Sequence, residues 1–185
     1  GLLKGIYLFQ SGTKQRKKNA QILASGVGMN WALKAAKLLE SDWGVSASVW
    51  SVTSWNELRR DGLAVDRHNL LHPNDQRSAY VTDKLNGAPG PVIAVSDYMR
   101  AVQDQIAPWV EQEFVSLGTD GFGLSDTRGA LRRHFKVDAE SIVIATLSAL
   151  AKVGEVKQSV IQEAIDKYQI NDINAADPGN TEGSG

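Results

Sequence analysis

Residues 19–52 read NAQILASGVGMNWALKAAKLLESDWGVSASVWSV, and this stretch decides the fold class. Asn19 to Ser25 is a strand-forming run around Ile22, Leu23 and Ala24, broken by Gly26-Val27-Gly28. From Met29 to Trp43, the apolar residues Met29, Ala32, Leu33, Ala36, Leu39 and Trp43 return every three or four positions. That spacing predicts an amphipathic helix with one buried face. Gly44 stands just past its end, where a left-handed cap costs glycine little. Val45 to Val52 alternates Val45, Ala47 and Val49 with serines and predicts a second strand. Strand, glycine turn, helix, strand is a βαβ unit, which implies a parallel pair joined by a right-handed crossover.

Working outward, Gly5 to Gln10 is aromatic and β-branched and predicts a strand. Ser11 to Lys18 is polar and carries the basic cluster Lys14, Arg16, Lys17 and Lys18. The simplest link from this strand to Asn19–Ser25 is an antiparallel hairpin with a long solvated loop. Ser54-Trp55-Asn56-Glu57 matches a capping box: the Ser54 hydroxyl takes the Glu57 amide, and the Glu57 carboxylate reaches back. A helix follows, weakened by Gly62 and ended before His72-Pro73. A short helix is expected over Ala79 to Leu85. Pro91 to Val95 is an apolar run between breakers, as in a buried central strand. Asp97 is placed to cap a helix from Met99 to Ala107, stopped by Pro108, and Phe114 to Leu117 reads as the last strand. Asp126 then caps Thr127 to Phe135, Asp138 caps Ala139 to Val153, and Val156 to Ile170 carries a further helical period. The sum is an α/β three-layer sandwich. Five strands form a mixed, mostly parallel sheet with helices on both faces, the domain spans 1–170, and 171–185 is a flexible tail.

Composition bounds the function. At 185 residues the chain suits one domain, which buries roughly 70% of its unfolded surface. Twenty basic against 21 acidic residues give a net charge of -1, which argues against a nucleic-acid or membrane-surface binder. There is no cysteine, so disulfides, thiolate metal sites and a cysteine nucleophile are excluded, and a reducing compartment such as the cytoplasm fits. No apolar run approaches the roughly 20 residues that span a bilayer. The chain lacks both an initiator Met and a signal-peptide layout, and reads as one domain cut from something larger.

Three stretches invite chemistry. Ser25, Gly26 and Gly28 lie between a strand and a helix, where backbone amides can hold a phosphate or carboxylate. The dinucleotide fingerprint fails, because its third glycine position is Trp31, and no Gly-Lys-Ser/Thr follows. A tight turn without ligand is the first reading, and an independent anion or small-ligand regulatory module the alternative. His68 and His72 are four apart, but nothing nominates a third ligand, and His134 stands apart. Leu117 to Arg128 packs Gly118, Gly121 and Gly123 around Phe122. It lacks lysine, and Asp120 would repel an anion. Phe122 suits an aromatic plug, buried in this chain or in a partner. With five tryptophans in the chain, Trp55, Phe122, Asp120 and Arg128 are candidate interface residues.

Ser51 to Gly62, Leu71-His72-Pro73, Ser96 to Met99, Leu117 to Arg128, Leu131 to Phe135 and Val137-Asp138 stand in an order and spacing that resembles the homodimeric bacterial pyruvate dehydrogenases, the first, decarboxylating component of their multienzyme complex. Gly1 to Tyr7 looks like that family's entry from its middle domain into a transketolase-like C-terminal domain. The resemblance implies a cytoplasmic parent enzyme that uses thiamine diphosphate with magnesium, decarboxylates pyruvate and acetylates the lipoyl group of dihydrolipoyl acetyltransferase. It implies the N-terminal and middle domains of the same chain and a second subunit as partners, with the cofactor held outside the C-terminal domain. The Gly-Asp-Gly that starts a thiamine diphosphate site does not occur; Thr119-Asp120-Gly121 lacks its leading glycine. No catalytic, cofactor-binding or metal residue is therefore assigned, and the chain alone is expected to be inactive and to bind no cofactor. The same domain of transketolase or of a 2-oxoacid dehydrogenase β chain is the nearest alternative.

Overall fold

The computed structural model describes residues 1–13, 17–121, 127–172 and 175. The strands are β1 (Ile6–Gln10), β2 (Lys18–Ala24), β3 (Val45–Val52), β4 (Val92–Val95) and β5 (Phe114–Leu117). The α-helices are α1 (Gly28–Trp43), α2 (Trp55–Leu71), α3 (Tyr80–Leu85), α4 (Ala101–Asp104), α5 (Arg128–His134), α6 (Ala139–Lys152) and α7 (Gln158–Tyr168). One sheet runs in the order β1-β3-β2-β4-β5. Strands β2 to β5 are parallel, and β1 lies antiparallel on the outer edge of β3.

The β2-α1-β3 unit forms as the periodicity requires, with Gly44 left-handed at φ 64°. The strands alternate their side chains between two cores. Ile22, Val45, Val49, Ile93 and Val95 pack under α1, α6 and α7. Ile6, Leu23, Trp50, Val52 and Ala94 pack under α2, α3 and the segment around Ile106. Helices therefore cover both faces, and all four residues of β4 are buried.

The expected β1–β2 hairpin does not form. Strand β2 has a parallel neighbour on each side, so it offers no free edge, and β1 joins β3 instead, with Ile6 opposite Val52. The helix expected from Met99 to Ala107 is a single turn followed by a 3-10 turn at Ala107–Trp109. Asp97 does not cap it. The Ser96 hydroxyl takes the Tyr98 amide, and Asp120 takes the Arg100 amide. The capping box of α2 is half made: Ser54 accepts from the Glu57 amide at 3.1 Å, but the Glu57 carboxylate pairs with Arg60. Asp126 lies outside the described residues, and the Thr127 hydroxyl caps α5. Asp138 caps α6 as expected, accepting from the Ser141 amide at 2.9 Å.

Candidate functional site at the carboxyl end of the sheet

Ala24, Val52, Val95 and Leu117 end the four parallel strands at one pole. From there β2 leads into α1 on one face, while β4 leads toward Val102 on the other. Open α/β sheets hold ligands where neighbouring connections diverge in this way. An open cleft of about 500 Å³ lies at this pole, lined by residues 25–26 and 51–56 with Tyr98 and Val102. Two stretches of the family-like pattern, Ser51 to Gly62 and Ser96 to Met99, thus meet in space.

Ser25, Gly26 and Gly28 come together as a tight turn in which the Ser25 and Gly28 amides are engaged. The Ser25 amide donates to the Val95 carbonyl, and the amides of Gly28, Met29 and Asn30 donate to the carbonyls of Ser25, Gly26 and Val27. The Ser25 hydroxyl accepts the indole N–H of Trp55 at 3.1 Å. Gly26 is left-handed at φ 54°, and a Cβ there would lie 3.7 Å from the Asp97 carboxylate. That carboxylate opposes an anion at the turn.

Trp55 is 4% exposed and packs in the core beneath α2, within its own chain. Asp120 forms a two-point contact with Arg100, accepting from its backbone amide at 3.0 Å and from Nε at 2.6 Å. Hydrogen bonding to Arg100 holds the Asp120 carboxyl below its ordinary range and raises the guanidinium in turn. Beside it, the Thr119 amide donates to the Tyr98 carbonyl at 2.8 Å, and the Thr119 hydroxyl donates to the Asp97 carbonyl at 2.7 Å. Gly118 permits this closeness, since a Cβ there would stand 2.4 Å from the Tyr98 carbonyl oxygen. The β4–α4 loop and the start of the glycine loop are therefore strapped together. Arg128 is exposed at the start of α5, away from this strap's bonds, and Phe122 lies outside the described residues.

Sequence reasoning missed Arg100 as the partner of Asp120. It also missed the outward display of Tyr98 and Met99, 47% and 58% exposed. The signal available was the glycine at 118, which marks a close backbone approach but does not say to what. His68 and His72 stack at 4.2 Å between ring centroids, and His68 Nε2 bonds Asp75. Among the described residues no group of three or more His, Asp or Glu side chains is placed to hold a metal. No helix among the described residues is long and apolar enough to cross a membrane.

Comparison with known proteins gives a consistent result. The model for "Transketolase-like TK C-terminal domain" matches residues 5–138. The pyruvate dehydrogenase E1 component of Mycolicibacterium smegmatis is 57% identical over 176 residues, 95% of this chain and 19% of that protein. That of Mycobacterium tuberculosis is 55% identical over 185 residues, 97% of this chain and 20% of that protein. The chain thus spans about a fifth of the length of these curated relatives. Among solved structures, transketolase from Leishmania mexicana shares the fold, with a TM-score of 0.57 at 20% identity over 86% of this chain and 20% of that one.

Proposed function

Because this chain belongs to the transketolase-like C-terminal domain family, we propose that it serves as the assembly domain of a pyruvate dehydrogenase E1 component. The observation that carries the reading is the 57% identity that runs through nearly the whole chain. In this reading the complete protein is a cytoplasmic homodimer. It decarboxylates pyruvate with thiamine diphosphate and magnesium and passes the acetyl group to lipoyl groups on dihydrolipoyl acetyltransferase. The folded unit is residues 1–170, with 171–185 beyond it; Ile170 is the last core side chain among the described residues.

In this reading the cofactor is held elsewhere in the complete protein, and the described residues lining the crevice lack the groups that would hold it. Hydroxyls, Asn56 and apolar groups line the crevice at the carboxyl pole. Among the described residues no Lys, Arg or His lines it to hold a diphosphate, and no pair of carboxylates lines it to hold magnesium. No catalytic step is assigned to this chain. Its contribution is shape: a rigid sheet with two cores, and a carboxyl pole stiffened by the Thr119 and Asp120 bonds. The anion-binding alternative finds little support, because the Ser25 and Gly28 amides are occupied and the Asp97 carboxylate faces the turn.

Two measurements test the proposal. The full-length protein supplied with thiamine diphosphate and magnesium is expected to decarboxylate pyruvate, and the 185-residue chain is not. Calorimetric titration of the chain with the cofactor and metal is expected to show no saturable heat. Turnover by the chain alone, or a full-length protein inert toward pyruvate, would overturn the reading.

A further inference from the structure

Helix α2 turns Trp55, Leu58 and Gly62 into the core. Its opposite side displays Arg59, Arg60, Leu63 and Arg67 around an open cleft of about 410 Å³. Leu63 is 41% exposed, and Leu70 and Leu71 at the end of the helix are 81% and 68% exposed. Arginine beside exposed apolar side chains is the composition of a protein interface rather than of an ordinary solvated helix.

The charges on this side have been sorted by the fold. Asp61 is turned to the Tyr80 amide, which donates to it, and Asp66 accepts from the Trp109 indole N–H at 3.0 Å. Glu57 is engaged by Arg60. Arg59 and Arg67 have no ion-pair partner among the described residues. Lys4 and Arg60 share an adjoining cleft with Leu3, Tyr80 and the engaged carboxylates Glu57 and Asp61, and Lys84 lies over the same Tyr80 ring. Around Leu63 itself the cleft is lined by three arginines and by no carboxylate.

We propose that this outward face of α2 seats an acidic surface belonging to the part of the full-length protein that lies outside this chain. The proposal rests on reading the chain as one domain of a longer pyruvate dehydrogenase E1 component. Three observations choose this occupant. First, the exposed cations call for carboxylates opposite them. Second, a second copy of the chain fits poorly. Arg59 and Arg67 lie four residues to either side of Leu63, so an antiparallel two-fold pairing of α2 centred on Leu63 would set Arg59 against Arg67 of the other copy. The two cations stand about 12 Å apart along the helix, at 1.5 Å per residue, so both would meet like charge. Third, the face is continuous with the opening turn of the chain, where Leu2 and Leu3 are 67% and 95% exposed. About four fifths of each close relative's length lies outside the matched region and can supply the surface.

The test is arginine labelling with phenylglyoxal, read residue by residue by mass spectrometry, on the 185-residue chain and on the full-length protein. Arg59 and Arg67 are expected to react readily in the chain and several-fold more slowly in the full-length protein. Equal rates would overturn the proposal. Protection in the chain alone that grows with its concentration would also overturn it, by making a second copy the occupant. In a second arm, the pair Arg59→Glu and Arg67→Glu is introduced into the full-length protein. Subtilisin is expected to release the 20.0 kDa domain several-fold faster, while the same pair leaves the melting temperature of the isolated chain unchanged. An unaltered release rate would count against docking. Loss of pyruvate turnover bears only on the functional reading, since neither labelling nor proteolysis depends on it.

Discussion

Arg133 is 1% exposed, yet it carries a charge and touches three helices. From α5 its Nε donates to the Asp138 carboxylate that caps α6, and its Nη1 donates to the Tyr168 and Gln169 carbonyls at the end of α7. Glu140 stands 3.6 Å from Nη2. The guanidinium thus faces two carboxylates and the negative pole of a helix at once. Removing one member of a buried pair strands the other, at a cost of roughly 3–5 kcal/mol. Arg133→Ala is therefore expected to lose about that much stability in urea denaturation. Arg133→Met combined with Asp138→Asn removes both charges and keeps a cap, so it should cost less than the alanine change. A second residue-scale prediction concerns pH. Burial, then hydrogen bonding to Asp42, pushes the Tyr168 phenol above its ordinary 10.0, while the Lys167 ammonium holds Asp42 below 3.8. The phenol accepts from the Trp43 indole at 2.9 Å and donates to Asp42 at 2.7 Å. A raised folded value gives stability that is complete below pH 10.0 and lost as pH climbs through that higher value. A lowered one gives stability present above pH 3.8 and lost as pH falls through the folded value. Spectroscopic titration should find a late tyrosine ionisation that accompanies unfolding, and Tyr168→Phe should abolish that late step. None of this was legible in the sequence, where Arg132 and Arg133 are adjacent and indistinguishable. Only the fold sends Arg132 over the Trp31 ring and Arg133 inward.

At the scale of elements, Gly62 separates local preference from packing. Helix propensity favours alanine over glycine by roughly 1 kcal/mol at an interior position. The structure reverses the sign, because a Cβ at Gly62 would lie 2.3 Å from the Trp109 ring. Gly62→Ala is expected to lower the melting temperature, and pairing it with Trp109→Leu should recover part of the loss. The helices α1 and α7 were legible from their apolar period, α2 from its Ser54 cap and the His72-Pro73 breaker, and α6 from its Asp138 cap. Strand pairing was not. Tyr7 to Phe9 looks as apolar as a central strand, yet Leu8 and Phe9 are exposed on an edge. The side to which a strand pairs depends on partners tens of residues away. The α4 region failed for a related reason: Asp120, distant in the chain, took the donor that Asp97 was expected to serve. The crevice was half legible, since its turn at Ser25 to Gly28 could be read locally but its engaged amides and the facing Asp97 could not.

For the molecule as a whole, the buried apolar side chains among the described residues run from Ile6 to Ile170, and Lys136 bonds the Ile170 carbonyl at 3.2 Å. A chain ending at Asp172 is expected to melt with the 185-residue chain in scanning calorimetry. One ending at Lys167 removes the carbonyls that Arg133 grips and the Ile170 side chain, and should melt markedly lower. The α/β class and both helical layers followed from alternation of strand and helix patterns, because those patterns are set by burial within a few residues.

The reversed first strand has a practical corollary. With Ile6 opposite Val52, and Thr53 bonded to the carbonyls of Leu2 and Gly5, the polypeptide enters its sheet beside the mouth of the cleft. An affinity tag or fluorophore fused ahead of Gly1 would hang over that opening, so a ligand screen run on such a fusion would report on a shaded surface.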